Sequence, residues 1–315
     1  MNYYRILSLD GGGIRGLLTC KLLERLEKVV PGFLSKVDLF AGTSTGGILA
    51  LGLASGLSPA EMAKIYQDDG EKIFTRSGFD FFEIIERFSH ACYGNKSLEE
   101  SLRDKFKNMK LGDLPKKVLI SSFLMDNKNT KSGKDFRSWK PKFFHNYDDG
   151  PVNMDCYEYV VDVALHTSAA PTYFPLHKGY ADGGLVANNP SMCALAQAID
   201  TKTGKQQLKN IALFSVGTGM LPKWVEGFNE NWGFKQWAPN LLSVMMDGVS
   251  GVADYQCRAL LGPRYNRLNM CFERDISLDS VAEIPYLVSL ANVDLEDFKT
   301  TEKWLKKYYG QIMPA

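Results

Sequence analysis

The chain of 315 residues has no apolar run long enough to cross a membrane. Its longest nearly uncharged stretch, roughly residues 41–60, is broken by glycines, serines and Pro59, so a spanning helix is not expected. Paired cysteines are missing too. The six cysteines, at positions 20, 92, 156, 193, 257 and 271, have neither CxxC nor Cys/His spacing. That excludes a zinc motif and a disulfide scaffold, and leaves buried thiols in a reducing compartment as the expectation. Met1 stands only a few residues before strand-like sequence and a glycine turn, so no secretory signal is expected. Charge of one sign is also lacking. With 37 Lys and Arg against 36 Asp and Glu, no overall field draws in nucleic acid, and none is expected as a partner. Histidine is scarce, at positions 90, 145, 166 and 177 only. No internal repeat or low-complexity tract is present.

Apolar and aromatic residues, 45% and 12% of the chain, suffice for one large α/β domain or two smaller ones. Ile6, Leu7 and Leu9 read as a buried strand that runs into Asp10-Gly-Gly-Gly-Ile-Arg-Gly16. Leu18, Leu22, Leu26 and Val29/Val30 then recur at helical spacing, predicting a helix over 14–30. Val37 to Ala41 reads as a second strand, Gly42-Thr-Ser-Thr-Gly-Gly47 as a second tight turn, and Ile48 to Ala54 as a second helix. Ser58-Pro-Ala-Glu61 carries a helix cap, and Ser97-Leu-Glu-Glu100 repeats the signal. Further strands are expected over Val118–Met125, Lys142–Asn146 and Ile211–Val216, and helices over Cys156–Thr167, Asn240–Leu261 and Leu295–Gln311. Alternating strands and helices predict a parallel sheet covered on both faces.

Two glycine turns then compete for interpretation. Gly11, Gly13 and Gly16 satisfy GxGxxG between a strand and a helix, where converging amides hold negative charge. A dinucleotide site also needs an acidic residue at the end of the second strand, and Asp38 stands at its other end. That strand instead ends in Gly42-Thr43-Ser44-Thr45-Gly46, a GxSxG turn. Glycines on both sides of a serine permit a turn sharp enough to lift its hydroxyl clear, at a helix N-terminus that favours negative charge. Adjacent parallel strands bring both turns to one sheet edge, so the first loop serves a transient oxyanion beside Ser44. The serine needs a base, and no histidine completes a recognisable triad; His166 and His177 read as structural. Asp182, in Tyr-Ala-Asp182-Gly183-Gly184 before an Asn-Asn-Pro turn, is the better candidate.

With Asp10-Gly-Gly-Gly-Ile-Arg-Gly, Gly-Thr-Ser44-Thr-Gly and Asp182-Gly-Gly in this order, joined by Thr-Ser-Ala-Ala-Pro-Thr-Tyr-Phe-Pro, the chain resembles the patatin-like phospholipase family. The motifs fall within about residues 5–200, the remainder completing the sheet of a single domain over 1–315. The resemblance implies a three-layer α/β/α sandwich with a mostly parallel sheet and a Ser44-Asp182 dyad without histidine. It maps Gly11, Gly12 and Gly13 to the oxyanion loop and Arg15 to its basic residue. Asp10, Gly16, Gly42, Gly46, Gly183 and Gly184 support the turns. Arg15 suits holding the loop, drawing in a phosphate head group or a structural ion pair. The implied activity is hydrolysis of phospholipid acyl esters, without cofactor or metal, by a cytoplasmic protein in peripheral contact with a membrane. A neutral-lipid lipase or acyltransferase, an effector gated by a small-molecule activator such as a cyclic nucleotide, and a silent binding protein of the same fold remain alternatives. The basic Lys128–Lys142 stretch with Trp139 suits either a solvated hairpin or contact with lipid heads. Residues 227–239 suit a lid, a partner surface or packed core.

Overall fold

The computed structural model describes residues 3–75, 90–128, 130–131, 134–148, 150, 153–222 and 232–310. Its frame is a seven-stranded sheet. The strands are β1 (Tyr4–Leu9), β2 (Leu39–Thr43), β3 (Lys117–Leu124), β6 (Lys140–His145), β7 (Tyr180–Asp182), β8 (Ile211–Val216) and β9 (Tyr265–Leu268). A separate short hairpin pairs β4 (Thr130–Lys131) with β5 (Lys134–Asp135). Along the sheet the order is β6-β3-β2-β1-β8-β9, with β7 also paired to β3. Pairings from β3 through β9 are parallel; β6 and β7 run antiparallel to β3. The mostly parallel sheet expected is present, its two antiparallel pairings both made by β3: with β6, which follows it along the chain, and with β7, which lies beyond helix Val160–Thr167.

Side chains alternate between two cores, as a two-residue period dictates. Leu7, Leu9, Phe40, Ile120 and Phe214 join the larger one, against helices α1 (Gly16–Val29), α2 (Thr45–Ser55) and α3 (Pro59–Gln67). Ile6, Leu39, Ala41, Leu119 and Leu213 face the smaller one. It is closed by α8 (Ser191–Ile199) and by Cys257 and Leu261 of the long helix α9 (Phe234–Leu261). Helix, sheet and helix therefore form three layers, and the central strands β1, β2, β3 and β8 are buried on both faces.

Several local expectations change in the folded chain. The Ser58 capping box is present, with Ser58 Oγ accepting from the Glu61 amide at 3.2 Å. Ser97 caps nothing: helix α5 spans Lys96–Phe106 after Asn95, although Leu98, Leu102 and Phe106 do share its buried face. The expected helix over Cys156–Thr167 divides into a 3-10 turn (Met154–Tyr157) and α6 (Val160–Thr167), because Glu158 and Tyr159 are extended. Helix α9 begins at Phe234 rather than Asn240 and runs through Pro239. Part of the 227–239 stretch, residues 227–231, lies outside the described residues. Cys20 and Cys257 are buried as free thiols, whereas Cys271 is exposed and Cys92, Cys156 and Cys193 are half-buried. Among the described residues, no helix is long and apolar enough to cross a membrane.

Candidate active site

Leu9 pairs with Gly42 on one side and Val216 on the other, so the loops after β1, β2 and β8 leave the sheet at one level. Ser44, directly after β2, has φ 55° and ψ −126° and begins α2. A left-handed φ in a residue with a Cβ is costly, about 1–3 kcal/mol, and is held only where neighbours determine it. Here they do. The Ser44 amide donates to Thr167 Oγ1 at 2.8 Å, and that hydroxyl donates in turn to the Ser121 carbonyl at 2.6 Å. A Cβ on Gly42 would collide with the backbone of Gly46, and one on Gly46 with the carbonyls of Leu9 and Asp10. The two flanking glycines are thus required by close approach of three backbone segments.

The first glycine loop lies across from this elbow: a Cβ on Gly11 would come 3.2 Å from the Ser44 Cβ. Gly11 departs from the expected oxyanion role, because its N–H donates to the Asn188 carbonyl at 3.0 Å. Gly12 and Gly13 line the cleft at Ser44, and among the described residues their N–H groups meet no acceptor. Thr218, after β8, donates its hydroxyl to the Gly11 carbonyl at 2.8 Å and fills the space beside Gly12. Arg15 donates Nε–H to the Gly12 carbonyl at 3.3 Å, which favours its reading as a brace for the loop. Gly16 admits Thr45 and Tyr66, whose hydroxyls are hydrogen-bonded to each other. Asp10 is buried and receives both terminal nitrogens of Arg267, at 3.2 and 2.5 Å. It anchors the turn to β9 and does not reach the cleft lining.

Asp182 ends β7, opposite Ser122 of β3. Its amide donates to the Ala169 carbonyl at 2.9 Å, and its Oδ1 accepts the Gly184 amide at 2.6 Å. A Cβ on Gly183 would strike the Ser121 backbone, and one on Gly184 would lie 3.1 Å from Asp182 Oδ1, so both glycines let the turn close on the carboxylate. Burial pushes the Asp182 carboxyl up to about 6, against the opposing effects of a hydrogen bond from Ser44 and the Gly184 amide. Serine and aspartate line the same cleft.

The cleft encloses about 830 Å³, its open mouth included. Ile48, Ile65, Ile73, Phe74, Leu98 and Phe174 make it apolar, Leu185 of the short helix Gly184–Ala187 lines it as well, and Leu242 and Met246 bring helix α9 to it. No histidine lines it. His166 is buried between Phe144 and Tyr180, and burial holds its ring near a pKa of about 3, hence neutral. His177 Nε2 meets Asp162 Oδ1 at 2.9 Å, and His145 Nδ1 meets Asn153 Nδ2 at 3.3 Å. Among the described residues no His, Cys, Asp and Glu cluster suits a metal ion.

Sequence reasoning missed Arg267, Thr167, Thr218 and Asn188. The last joins two walls, since its carbonyl takes the Gly11 amide while its Nδ2 donates to Ser250 Oγ of α9 at 3.2 Å. Gly217-Thr218-Gly219 directly after a strand was the one local signal available for Thr218.

Residues 7–195 match the family model described as patatin-like phospholipase. A cGAMP-activated phospholipase of Pseudomonas aeruginosa is 32% identical over 272 residues, 84% of this chain and 78% of that protein. Patatin-like protein 2 of Arabidopsis thaliana is 26% identical over 361 residues, covering 99% of this chain and 85% of that protein. VipD from Legionella pneumophila superposes over 98% of this chain and 67% of its own with 12% identity and a TM-score of 0.49. A family match across more than half of the chain, on a three-layer sheet with both glycine turns at one edge, makes this protein a member of the patatin-like phospholipase family.

Proposed function

We propose that the chain is a serine acyl hydrolase of phospholipids, with Ser44 as nucleophile and Asp182 as its base. One observation carries the reading: a buried carboxylate, raised by its burial, and the Ser44 hydroxyl that acts on it line the same large apolar cleft. Asp182 takes the Ser44 proton as Oγ attacks the ester carbonyl carbon, and the Gly12 and Gly13 amides receive the oxyanion. Collapse breaks the bond to the leaving alcohol, which takes the proton from Asp182, and an acyl-enzyme remains. Water then attacks this ester, giving its proton to Asp182, and the fatty acid leaves as Ser44 is reprotonated. A carboxyl raised to about 6 is a stronger base than an ordinary aspartate and is still ionised at neutral pH. The apolar interior suits an acyl chain. An alcohol in place of water would make the same acyl-enzyme a transferase.

The test is release of fatty acid from phospholipid vesicles by wild type and Ser44→Ala, with labelling by a fluorophosphonate. Wild type should release acid and be labelled, and the folded variant should do neither. Equal labelling of both proteins would place the reactive serine elsewhere. A small-molecule activator is supported by three relatives named cGAMP-activated phospholipase, at 32–35% identity. The same assay with and without cGAMP tests it: acceleration supports gating, and an unchanged rate with cGAMP bound or absent rejects it.

A further inference from the structure

Helix α9 is apolar on two opposite faces. Leu242, Met246, Ala253, Cys257 and Leu261 recur on the side turned to the cleft and the smaller core. At about 100° per residue, Trp237, Leu241, Val244, Met245, Val252 and Tyr255 fall on the other side. Every one of these six is exposed, Val252 by 55% and Tyr255 by 74%. They extend along about 27 Å of helix at 1.5 Å per residue. A stripe of this size is not the scattered exposure of an ordinary surface.

We propose that this outer stripe docks the protein on a lipid surface, with α9 lying in the plane of the headgroups and delivering lipid past its inner face to Ser44. The inference rests on the phospholipid hydrolase reading and names the surface that reading needs. Continuity is the first argument. Leu242 and Met246 line the cleft while their neighbours Leu241, Val244 and Met245 face outward, so an acyl chain crosses one helix to go from the docked surface to the cleft. Charge is the second. Between Gln236 and Ala253 the helix has one charged residue, Asp247, so it lacks the flanking acidic and basic side chains that register a second helix against such a seam. Composition is the third. Trp237 and Tyr255 stand at the two ends of the stripe, and such rings favour the boundary between water and hydrocarbon. Because Lys235 and Arg258 are the only basic residues of α9, docking follows from apolar burial and not from attraction to anionic lipid.

Flotation with phosphatidylcholine vesicles tests the surface directly. The Leu241→Gln/Val244→Gln/Val252→Gln variant changes three side chains outside the cleft lining, and circular dichroism with a soluble short-chain ester checks its fold and site. Wild type should float with these zwitterionic vesicles at low and high salt. The variant should partition more weakly by on the order of tenfold or more, and should cleave the soluble ester at the wild-type rate. Equal flotation of both proteins would overturn the proposal, as would wild-type binding that vanishes in salt or requires anionic lipid. A wild-type dimer that the triple substitution makes monomeric would assign the stripe to a second copy. Should wild type float but cleave no ester, the hydrolase reading fails while the docking surface stands; cleavage without flotation is the reverse.

Discussion

The two walls that meet at Ser44 are built in opposite ways. On the sheet side, the elbow, the glycine loop and the Asp182 turn are locked by backbone hydrogen bonds and by contacts that leave no room for a Cβ. On the other side, α9 contributes Leu242 and Met246 to the cleft but leaves much of its length exposed, and Gly248 and Gly251 have no neighbour within reach of an added Cβ. Atoms that exchange a proton must be fixed to fractions of an ångström, whereas a surface that admits a flexible chain gains from being loosely held.

That contrast is broken most severely by a change at the reacting pair. Asp182→Asn, similar in size but unable to accept a proton, should lower ester hydrolysis on the order of 10⁴-fold. His166→Gln and His177→Gln, away from the cleft, should leave appreciable activity in whatever fraction folds. An inactive but folded histidine variant beside an active Asp182→Asn would return the site to a triad. Next comes the anchor behind the glycine loop. Arg267→Met strands the buried Asp10 carboxylate and should cost about 3–5 kcal/mol in chemical denaturation. A loss below 1 kcal/mol would mean that the loop is fixed by its glycines alone.

The raised Asp182 carboxyl sharpens the comparison, since it makes the fixed wall a burden on stability. An aspartate ordinarily near 3.8 that is held at about 6 binds more protons folded than unfolded between these values. Its carboxylate therefore detracts increasingly from stability as pH rises from about 4 to 6, and by about 3 kcal/mol above that. Asp182→Asn should then be the more stable protein at pH 8 and lose that advantage near pH 4, while wild-type kcat/KM rises with pH through about 6. A denaturation difference independent of pH would remove the raised carboxyl from the account. The smallest effect belongs to the loose wall: Val244→Gln should shift stability by no more than about 0.5 kcal/mol, because its side chain is already in water. A larger loss would show that the outer stripe is covered in the free protein.

What could be read from the sequence was short in range. The Ser44 elbow, the glycine loop, Asp182 and the Ser58 cap are each specified within a few residues by glycine spacing or capping chemistry. Arg267 meets Asp10 across 257 residues and Thr167, although it opens the Thr-Ser-Ala-Ala-Pro stretch, meets Ser44 across 123, and neither pairing is written in the residues around it. The loss of Gly11 as an oxyanion donor has the same origin, for its acceptor, the Asn188 carbonyl, looks like that of any turn residue. The start of α9 was misplaced because Pro239 reads as a boundary, yet a proline can lie within a helix where the freed carbonyl is otherwise satisfied.

The proposed pairing of Ser44 with Asp182 also fixes how charge is handled in an apolar enclosure. In a triad, proton transfer to imidazole creates a cation and an oxyanion from neutral partners, so opposite charges must be separated where water is scarce. In the proposed dyad the site has one negative charge before the step and one after it. The charge leaves a carboxylate that takes up a proton and appears on an oxyanion at the Gly12 and Gly13 amides. A charge that is moved, not made, demands less of its surroundings. Filling the cleft with hydrocarbon, which would penalise a new ion pair, therefore opposes this step less than it would the corresponding step of a triad.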